Sequence, residues 1–203
     1  MNKRGKRAGI LAFITIVLTA LLGVAGAGTA SACSPTGSST RYAATLPQVS
    51  PGQSGDLVLG LQLNLRDRGY ALNGTGLYAD NTLAAVQDFQ RRNGINPSGI
   101  VGSKTWQALV GTLNQNATGN GPTPDQPQLS PGSTDQDPYF HLINALQRIH
   151  PYQGFEEQYY GPRTQSMVRD FQRRVGIKDS GIVGPKTWAA LYQVVSVSGH
   201  WGC

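Results

Sequence analysis

Apolar positions in most nonpolar stretches of this chain recur every three or four residues, and that helical period predicts a mainly α protein. Ala85, Val86 and Phe89 keep this spacing, as do Met167, Val168 and Phe171, each exactly matched 82 positions later. Leu142 or Ile143, Leu146 and Ile149 mark one face of a further amphipathic helix. One segment is ambiguous. From Leu57 to Leu65 the leucines alternate strictly, which by period alone predicts a strand, and Gly60 costs a helix about 1 kcal/mol. Val58, Leu61 and Leu65 also fit a helical face, and the segment around Leu142 admits only the helical period, so a helix is expected here too.

The pattern is duplicated. "SGIVGSKTWQAL" at residues 98–109 returns as "SGIVGPKTWAAL" at 180–191, and upstream "DFQRRNGI" from Asp88 returns as "DFQRRVGI" from Asp170. A finer repeat, Gly-x-x-(Gly or Ala)-x-x-Thr, runs from Gly76 to Thr82 and from Gly99 to Thr105, and "QYYGPRT" and "GIVGPKT" keep its spacing in the second copy. Each instance reads as a turn entering a helix. Gly161 and Gly184 are suited to capping, and Pro162 and Pro185 to the first helical position, where no backbone donor is needed. Each copy therefore contains two helices opening from similar turns, preceded by a third. Two small three-helix modules are expected at residues 56–111 and 138–193. Residues 33–55 and 112–137, rich in Ser, Thr, Pro, Gly, Asn and Gln, are expected to lack order, the second acting as a flexible linker with a span of about 30 Å. Residues 194–203 remain as a tail with no assigned role.

The first 32 residues read differently. Lys3, Arg4, Lys6 and Arg7 precede the apolar run "ILAFITIVLTALLGVAG", and "ASA" at Ala30–Ala32 presents small residues for cleavage, which predicts an export signal with Cys33 as the new N-terminus. The apolar core of about 15 residues is short of the roughly 20 needed to span a bilayer, so no stable membrane anchor is expected. Export changes the charge. The 17 basic and 11 acidic residues give +6, and losing four basic residues with the leader leaves +2. That small excess argues against a nucleic-acid partner, which requires clustered Lys and Arg. Cys33 and Cys203 lie at the two ends of the mature chain, and in an exported protein they are expected to pair as a disulfide that adds roughly 5 kcal/mol by loop closure. Lipidation of Cys33 is the alternative, since "ASAC" loosely fits a lipoprotein signal, but it would leave Cys203 unpaired.

The succession "VLGLQLNLRDRGY", "GLYADNTLAAVQDFQ", "GIVGSKTWQAL", followed by "GPRTQSMVRDFQ" and "GIVGPKTWAAL", resembles the peptidoglycan-binding-like domains attached to many bacterial cell-wall hydrolases. The resemblance implies three-helix modules with cell-wall binding as their role, and a secreted, extracellular or wall-associated protein with peptidoglycan as partner. Two departures stand out. The family's acidic-Gly turn before the middle helix is Thr75-Gly76 in the first copy and Glu157-Gln158 in the second, and "HPY" replaces the family's Gly-Tyr at the end of the second copy's first helix.

Duplication suits a polymeric target, because two linked weak binders gain avidity. The expected contacts are muropeptide carboxylates at helix N-termini, where free N–H groups and the helix dipole favour anions. Around those turns the candidate ligand-binding residues are Tyr78, Asn81, Lys104, Thr105, Tyr160, Arg163, Lys186 and Thr187. For Tyr78 and Tyr160, packing and sugar stacking both remain open, and Lys104 and Lys186 fit solvation as well as ligand contact. Trp106, Trp188, Phe89 and Phe171 read as core. Asp88 with Arg92, and Asp170 with Arg174, have the spacing of surface ion pairs.

No catalytic residue is assigned, and no metal or other cofactor is expected. His141, His150 and His200 lack a zinc-site spacing, H-E-x-x-H, S-x-x-K and G-x-S-x-G are missing, and Glu156 with Glu157 reads as a surface pair. A non-catalytic wall-binding protein is the reading, with a secreted adaptor or inhibitor built on the same fold as the alternative and a hydrolase as a more distant one.

Overall fold

A computed structural model describes residues 38–111, 126–150 and 157–199. Its helices are α1 (Ser38–Thr45), α2 (Asp56–Asp67), α3 (Asp80–Arg92), α4 (Ser103–Leu109), α5 (Gln136–Ile149), α6 (Pro162–Arg174) and α7 (Pro185–Ser198). The described residues contain isolated β-bridges but no strand. Helices α2 to α4 form the first module and α5 to α7 the second, so the mainly α, two-module expectation holds. Pro162 and Pro185 open α6 and α7, with Gly161 and Gly184 as N-caps in extended backbone.

The duplicated words are mostly scaffold. Gln90, fully buried after Phe89, donates from Nε2 to the Ile100 carbonyl at 2.8 Å and to Thr105 Oγ1 at 3.1 Å, while its Oε1 accepts from Gly99 N–H at 2.9 Å. Gln172 repeats all three bonds, to Ile182 at 2.9 Å, Thr187 at 3.0 Å and Gly181 at 2.9 Å. A buried polar side chain has to find partners. Here one amide staples the Gly-Ile-Val-Gly turn to the middle helix. Gly99 adopts φ +74, and a Cβ there would lie 2.2 Å from Leu83 Cδ1, so both conformation and space require glycine.

A third repeated word lies in stretches whose composition predicts a lack of order. "PQVSPG" at 47–52 and "PQLSPG" at 127–132 play the same part in both modules. Val49 and Val101 exchange backbone bonds at 3.1 and 2.8 Å, and Leu129 and Val183 do so at 3.0 and 2.9 Å. Trp106 Nε1 donates to the Pro47 carbonyl at 2.8 Å, and Trp188 Nε1 to the Pro127 carbonyl at 2.9 Å. The expected disorder at 33–55 is thus corrected for its described part. Residues 38–45 form α1, which packs on α4, and Ala43 and Val49 are buried. The expected linker 112–137 is likewise too long at its C-terminal end, because 126–135 carry this bridge and turn and α5 starts at Gln136. Sparse apolar residues suffice there because the tryptophan and the valine of the adjacent module supply the partners.

Helix α2 resolves the leucine alternation. Val58 through Leu65 are all buried, including Gln62 and Asn64. Leu61 and Leu65 enter the first module's core, whereas Leu59 and Leu63 enter the second module's core. A helix buried all round loses its single apolar stripe. Its partner is α7, twice as long as its counterpart α4 at 14 residues against 7. The extension holds Val194, Val195 and Val197, all fully buried, and Val197 belongs to the first module's core. Residues 194–198, expected as a tail, are therefore the helical part that joins the modules.

Polar contacts complete the junction. Asn64 Nδ2 donates to the Val197 carbonyl at 2.8 Å, Arg66 to the Arg148 carbonyl at 3.0 Å, and Arg174 to the Gly74 carbonyl at 2.8 Å. Arg148, 9% exposed, forks onto both carboxylate oxygens of Asp67 and donates to the Ser198 carbonyl at 3.0 Å. Apolar side chains shared between cores and an ion pair from the buried Arg148 to Asp67 at the rim make α2–α7 an internal seam. Independent modules on a flexible tether, as expected from composition, are not what the packing shows. Cys33 and Cys203, the leader and residues 112–125 lie outside the described residues, and so the disulfide and the export signal do too.

Candidate functional site

The middle helix of each module presents the same face to an open groove. In the first module the groove, about 530 Å³, runs between the end of α2 and α3. Leu72, Ala84 and Ala85 form its apolar part, Tyr70 its wall, and Asn81, Asp88 and Arg92 its polar positions. In the second, a groove of about 340 Å³ lies between the end of α5 and α6, lined by His150, Arg163, Ser166, Met167, Asp170, Arg173 and Arg174. At the constant offset of 82, Asn81, Ala84, Ala85, Asp88 and Arg92 correspond to Arg163, Ser166, Met167, Asp170 and Arg174. Helical spacing explains the grouping, because i, i+3, i+4 and i+7 positions share one face.

Both grooves contain an aspartate held by the arginine one turn on. Arg92 Nε lies 2.7 Å from Asp88 Oδ2, and Arg174 Nε lies 2.7 Å from Asp170 Oδ2. Among the described residues a further side chain stands beside each pair. In the first groove the Tyr70 hydroxyl donates to Asp88 at 3.0 Å, with the Arg92 guanidinium 5.9 Å over its ring. That hydrogen bond, with the charges of Arg92 and Arg91, holds the Asp88 carboxyl below the usual carboxylate range against the opposing effect of desolvation. In the second groove His150 lies beside the aspartate, its Nε2 3.5 Å from Asp170 Oδ2. Burial first, then the Arg174 charge, pushes its imidazole below the ordinary histidine value, with Asp170 acting in the opposite sense.

The candidate residues divide. Tyr78 and Tyr160 are buried at 1% and 0% exposure, and their hydroxyls donate at 2.6 Å to the carbonyls of Gly99 and Gly181. Burial raises both phenols. Packing decides the alternative left open for them, because a ring that ligand cannot reach cannot stack on sugar. Thr105 and Thr187 are buried as partners of Gln90 and Gln172, and Thr187 is also among the residues that line the hollow at the start of α7. Asn81, Lys104, Arg163 and Lys186 are exposed. Asn81 and Arg163 occupy matching places in the two grooves. Lys186 lines a separate hollow of about 360 Å³ with Lys178, Ile182 and Pro185 at the start of α7. Lys104 lies in the first turn of α4, and the structure places it in neither groove.

The N-terminus of α6 already holds a carboxylate. Glu157 accepts from Arg163 N–H at 3.1 Å, and from Thr164 N–H and Oγ1 at 3.0 and 2.8 Å. Desolvation opposes ionisation, but these bonds and the Arg163 charge outweigh it and lower the Glu157 carboxyl. Glu157 is thus a helix cap rather than half of a surface pair, and it fills the position expected for a muropeptide carboxylate. In the first module Gln62 ties the turn before α3: it donates to Thr82 Oγ1 at 2.9 Å and to the Leu77 carbonyl at 2.8 Å, and accepts from Gly76 N–H at 2.8 Å. This is the physical content of the Thr75 and Glu157 departure.

Tyr70 and His150 were not singled out as site residues, and Asp88, Arg92, Asp170 and Arg174 were read only as ion pairs. The signal for the aspartates and arginines is available, since both pairs stand at i,i+4 spacing and recur at the repeat offset. Among the described residues no group of three or more His, Cys, Asp or Glu side chains could hold a metal ion. Likewise, no described helix is long and apolar enough to cross a membrane.

Over 109 residues the chain is 39% identical to an uncharacterized protein in the bpoA1 3′ region of Kitasatospora aureofaciens, covering 52% of this chain and 92% of that protein. Two Bacillus licheniformis proteins are similar over longer stretches. One, the N-acetylmuramoyl-L-alanine amidase CwlL, is 30% identical over 175 residues, covering 78% of this chain and 48% of the amidase. The other, a probable N-acetylmuramoyl-L-alanine amidase, is 31% identical over 160 residues, covering 71% and 44% respectively. The chain spans about half the length of each amidase. The family model for peptidoglycan binding domains matches residues 54–109 and again 141–191, one match to each module, and the chain belongs to that family, with two copies of its domain.

Proposed function

We propose that this protein is a non-catalytic, exported cell-wall protein whose two modules bind peptidoglycan together. The observation that carries the reading is the duplicated groove: the same face of the middle helix, with the same Asp–Arg pair, opens beside the first helix in both modules. A repeating polymer offers repeated sites, and two linked weak grooves gain affinity from the second contact. Because the modules share a seam, this bivalency is of fixed geometry, which lowers the ordering cost of the second contact relative to a loose tether.

The carboxylates of Asp88, Asp170 and Glu157 are engaged in ion pairs or hydrogen bonds, which supports binding rather than acid/base chemistry. The amidase relatives keep a hydrolase as the competing reading, and a secreted adaptor or inhibitor as another. The proposed maturation adds an N-terminus at Cys33 and a Cys33–Cys203 bond.

Sedimentation with purified sacculi freed of teichoic acid tests the reading. The full-length protein is expected to pellet with sacculi and to release no soluble muropeptide. Failure to pellet favours a soluble partner, and release of new amino termini favours a hydrolase.

A further inference from the structure

Three asparagines of this chain, Asn73, Asn93 and Asn120, are each followed by glycine. Such a pair has a chemistry of its own, because the glycine nitrogen can reach the side-chain carbonyl carbon of the asparagine and no glycine side chain crowds the approach. Asn120 lies outside the described residues. Asn73 and Asn93 are both exposed, yet the structure holds them very differently.

Asn93 closes α3. Its Nδ2 donates to the Phe89 carbonyl at 2.8 Å, and the Gly94 N–H donates to the Arg91 carbonyl at 3.2 Å, so the leaving group and the nucleophile are both engaged. Asn73 stands in the irregular stretch between α2 and α3, and among the described residues neither its side chain nor the Gly74 N–H has a hydrogen-bond partner. Only the far side of Gly74 is fixed. There its carbonyl accepts from Arg174 at 2.8 Å, its φ is +63, and a Cβ on it would lie 3.1 Å from Leu63 Cδ2 and 3.3 Å from Leu59 Cδ1. Those two leucines reach from the first module into the second module's core, and Arg174 reaches back.

We propose that Asn73–Gly74 is a site of spontaneous deamidation, and that the isoaspartate formed there loosens the seam between the modules. The Gly74 nitrogen loses its proton to water and attacks Cγ of Asn73, closing a cyclic imide. The Cγ–Nδ2 bond breaks, and ammonia leaves with a proton regained from water. A water molecule then opens the imide at one of its two carbonyls. Opening at Cγ gives aspartate with the backbone unchanged, whereas opening at the main-chain carbonyl gives isoaspartate, whose backbone runs through the side chain and is one atom longer. That atom is inserted directly before Gly74. The Arg174 bond and the packing on Leu59 and Leu63 cannot then all be kept, because a close-packed junction does not absorb an added methylene without strain. The site is independent of what the grooves bind.

The test holds the intact folded protein in warm, mildly alkaline buffer and follows the amide-to-acid mass change by peptide mapping, which reads Asn73, Asn93 and Asn120 separately. Enzymatic methylation of isoaspartate distinguishes the two products. Asn73 is expected to convert at least about tenfold faster than Asn93, where two hydrogen bonds must open first, and the gap is expected to close in urea. Equal rates in the folded protein, or a gap that persists in urea, overturn the assignment. The thermal midpoint of aged protein should fall in proportion to its isoaspartate content at residue 73. Asn73→Gln aged in the same way, and fresh Asn73→Asp, should both keep the midpoint of fresh protein, since this side chain is exposed and makes no hydrogen bond. An equal loss in aged Asn73→Gln places the damage elsewhere, and an Asn73→Asp that melts as low as aged protein assigns it to charge. Either result, or an unchanged midpoint in protein rich in isoaspartate at residue 73, overturns the link to the seam.

Discussion

Gly60 of α2 sits against Val197 of α7 so closely that a Cβ on residue 60 would meet the valine Cβ at 2.9 Å and the Val194 carbonyl at 3.1 Å. The glycine that argued against a helix is what lets two helices from different modules touch. Gly60→Ala should therefore destabilise the protein, since overpacking costs about 1–3 kcal/mol while the gain in helix propensity returns about 1. Adding Val197→Ala should recover part of the loss, and a double-mutant cycle in urea would read the coupling. Additive effects would mean that the seam is looser than the contact implies.

Cutting the chain near Gly121 should not release two independent halves. Leu59 and Leu63 lie in one core with Trp188, and Val197 lies in the other with Trp106. A protease site placed there should yield fragments that co-elute in gel filtration and melt in a single transition. Two separately folded fragments would restore the tethered arrangement expected from composition.

Gln172→Leu should cost about 3 kcal/mol or more, because it strands the Gly181 N–H and removes the bonds to Ile182 and Thr187 in a buried site. Gln90→Leu should behave alike in the first module. Chemical denaturation checks both, and a loss below about 1 kcal/mol would show that the staple is dispensable.

Stability should fall with acid in a window set by His150. Its folded value lies below the ordinary 6.5, lowered by burial, Arg174 and Arg66 and raised in part by Asp170. The unfolded chain therefore takes up the proton first. The stabilisation is complete above about 6.5 and is lost as pH drops through the folded value. In His150→Gln the slope of unfolding free energy with pH should flatten in that window, while loss at lower pH, where Asp88 and Glu157 protonate from depressed values, should persist.

Much of this fold is written locally. Helical period, proline at the first helical position and the repeated "FQ" and "GIVG" words define three helices per module, because each depends on backbone geometry and neighbours within about two turns. Trp106, Trp188, Phe89 and Phe171 are core for the same reason. The grooves were half visible: Asp88, Arg92, Asp170 and Arg174 stand at helical spacing, but which third group joins them depends on where a different helix ends.

Other features depended on contacts between residues far apart in the chain. Tyr78 carries no local sign that its hydroxyl reaches the Gly99 carbonyl rather than a ligand. "PQVSPG" looks like linker until Trp106 is seen to donate to Pro47. The alternating leucines of α2 and the apolar continuation of α7 each look anomalous alone, and only as a pair do they bury one another. Sequence alone thus determined the family, the helices and the duplication, which rest on short-range periodicity. Tertiary structure decided that the two modules are one body and that Glu157 occupies a helix end, because burial and hydrogen-bond partners are set by surfaces that meet only after the helices have formed.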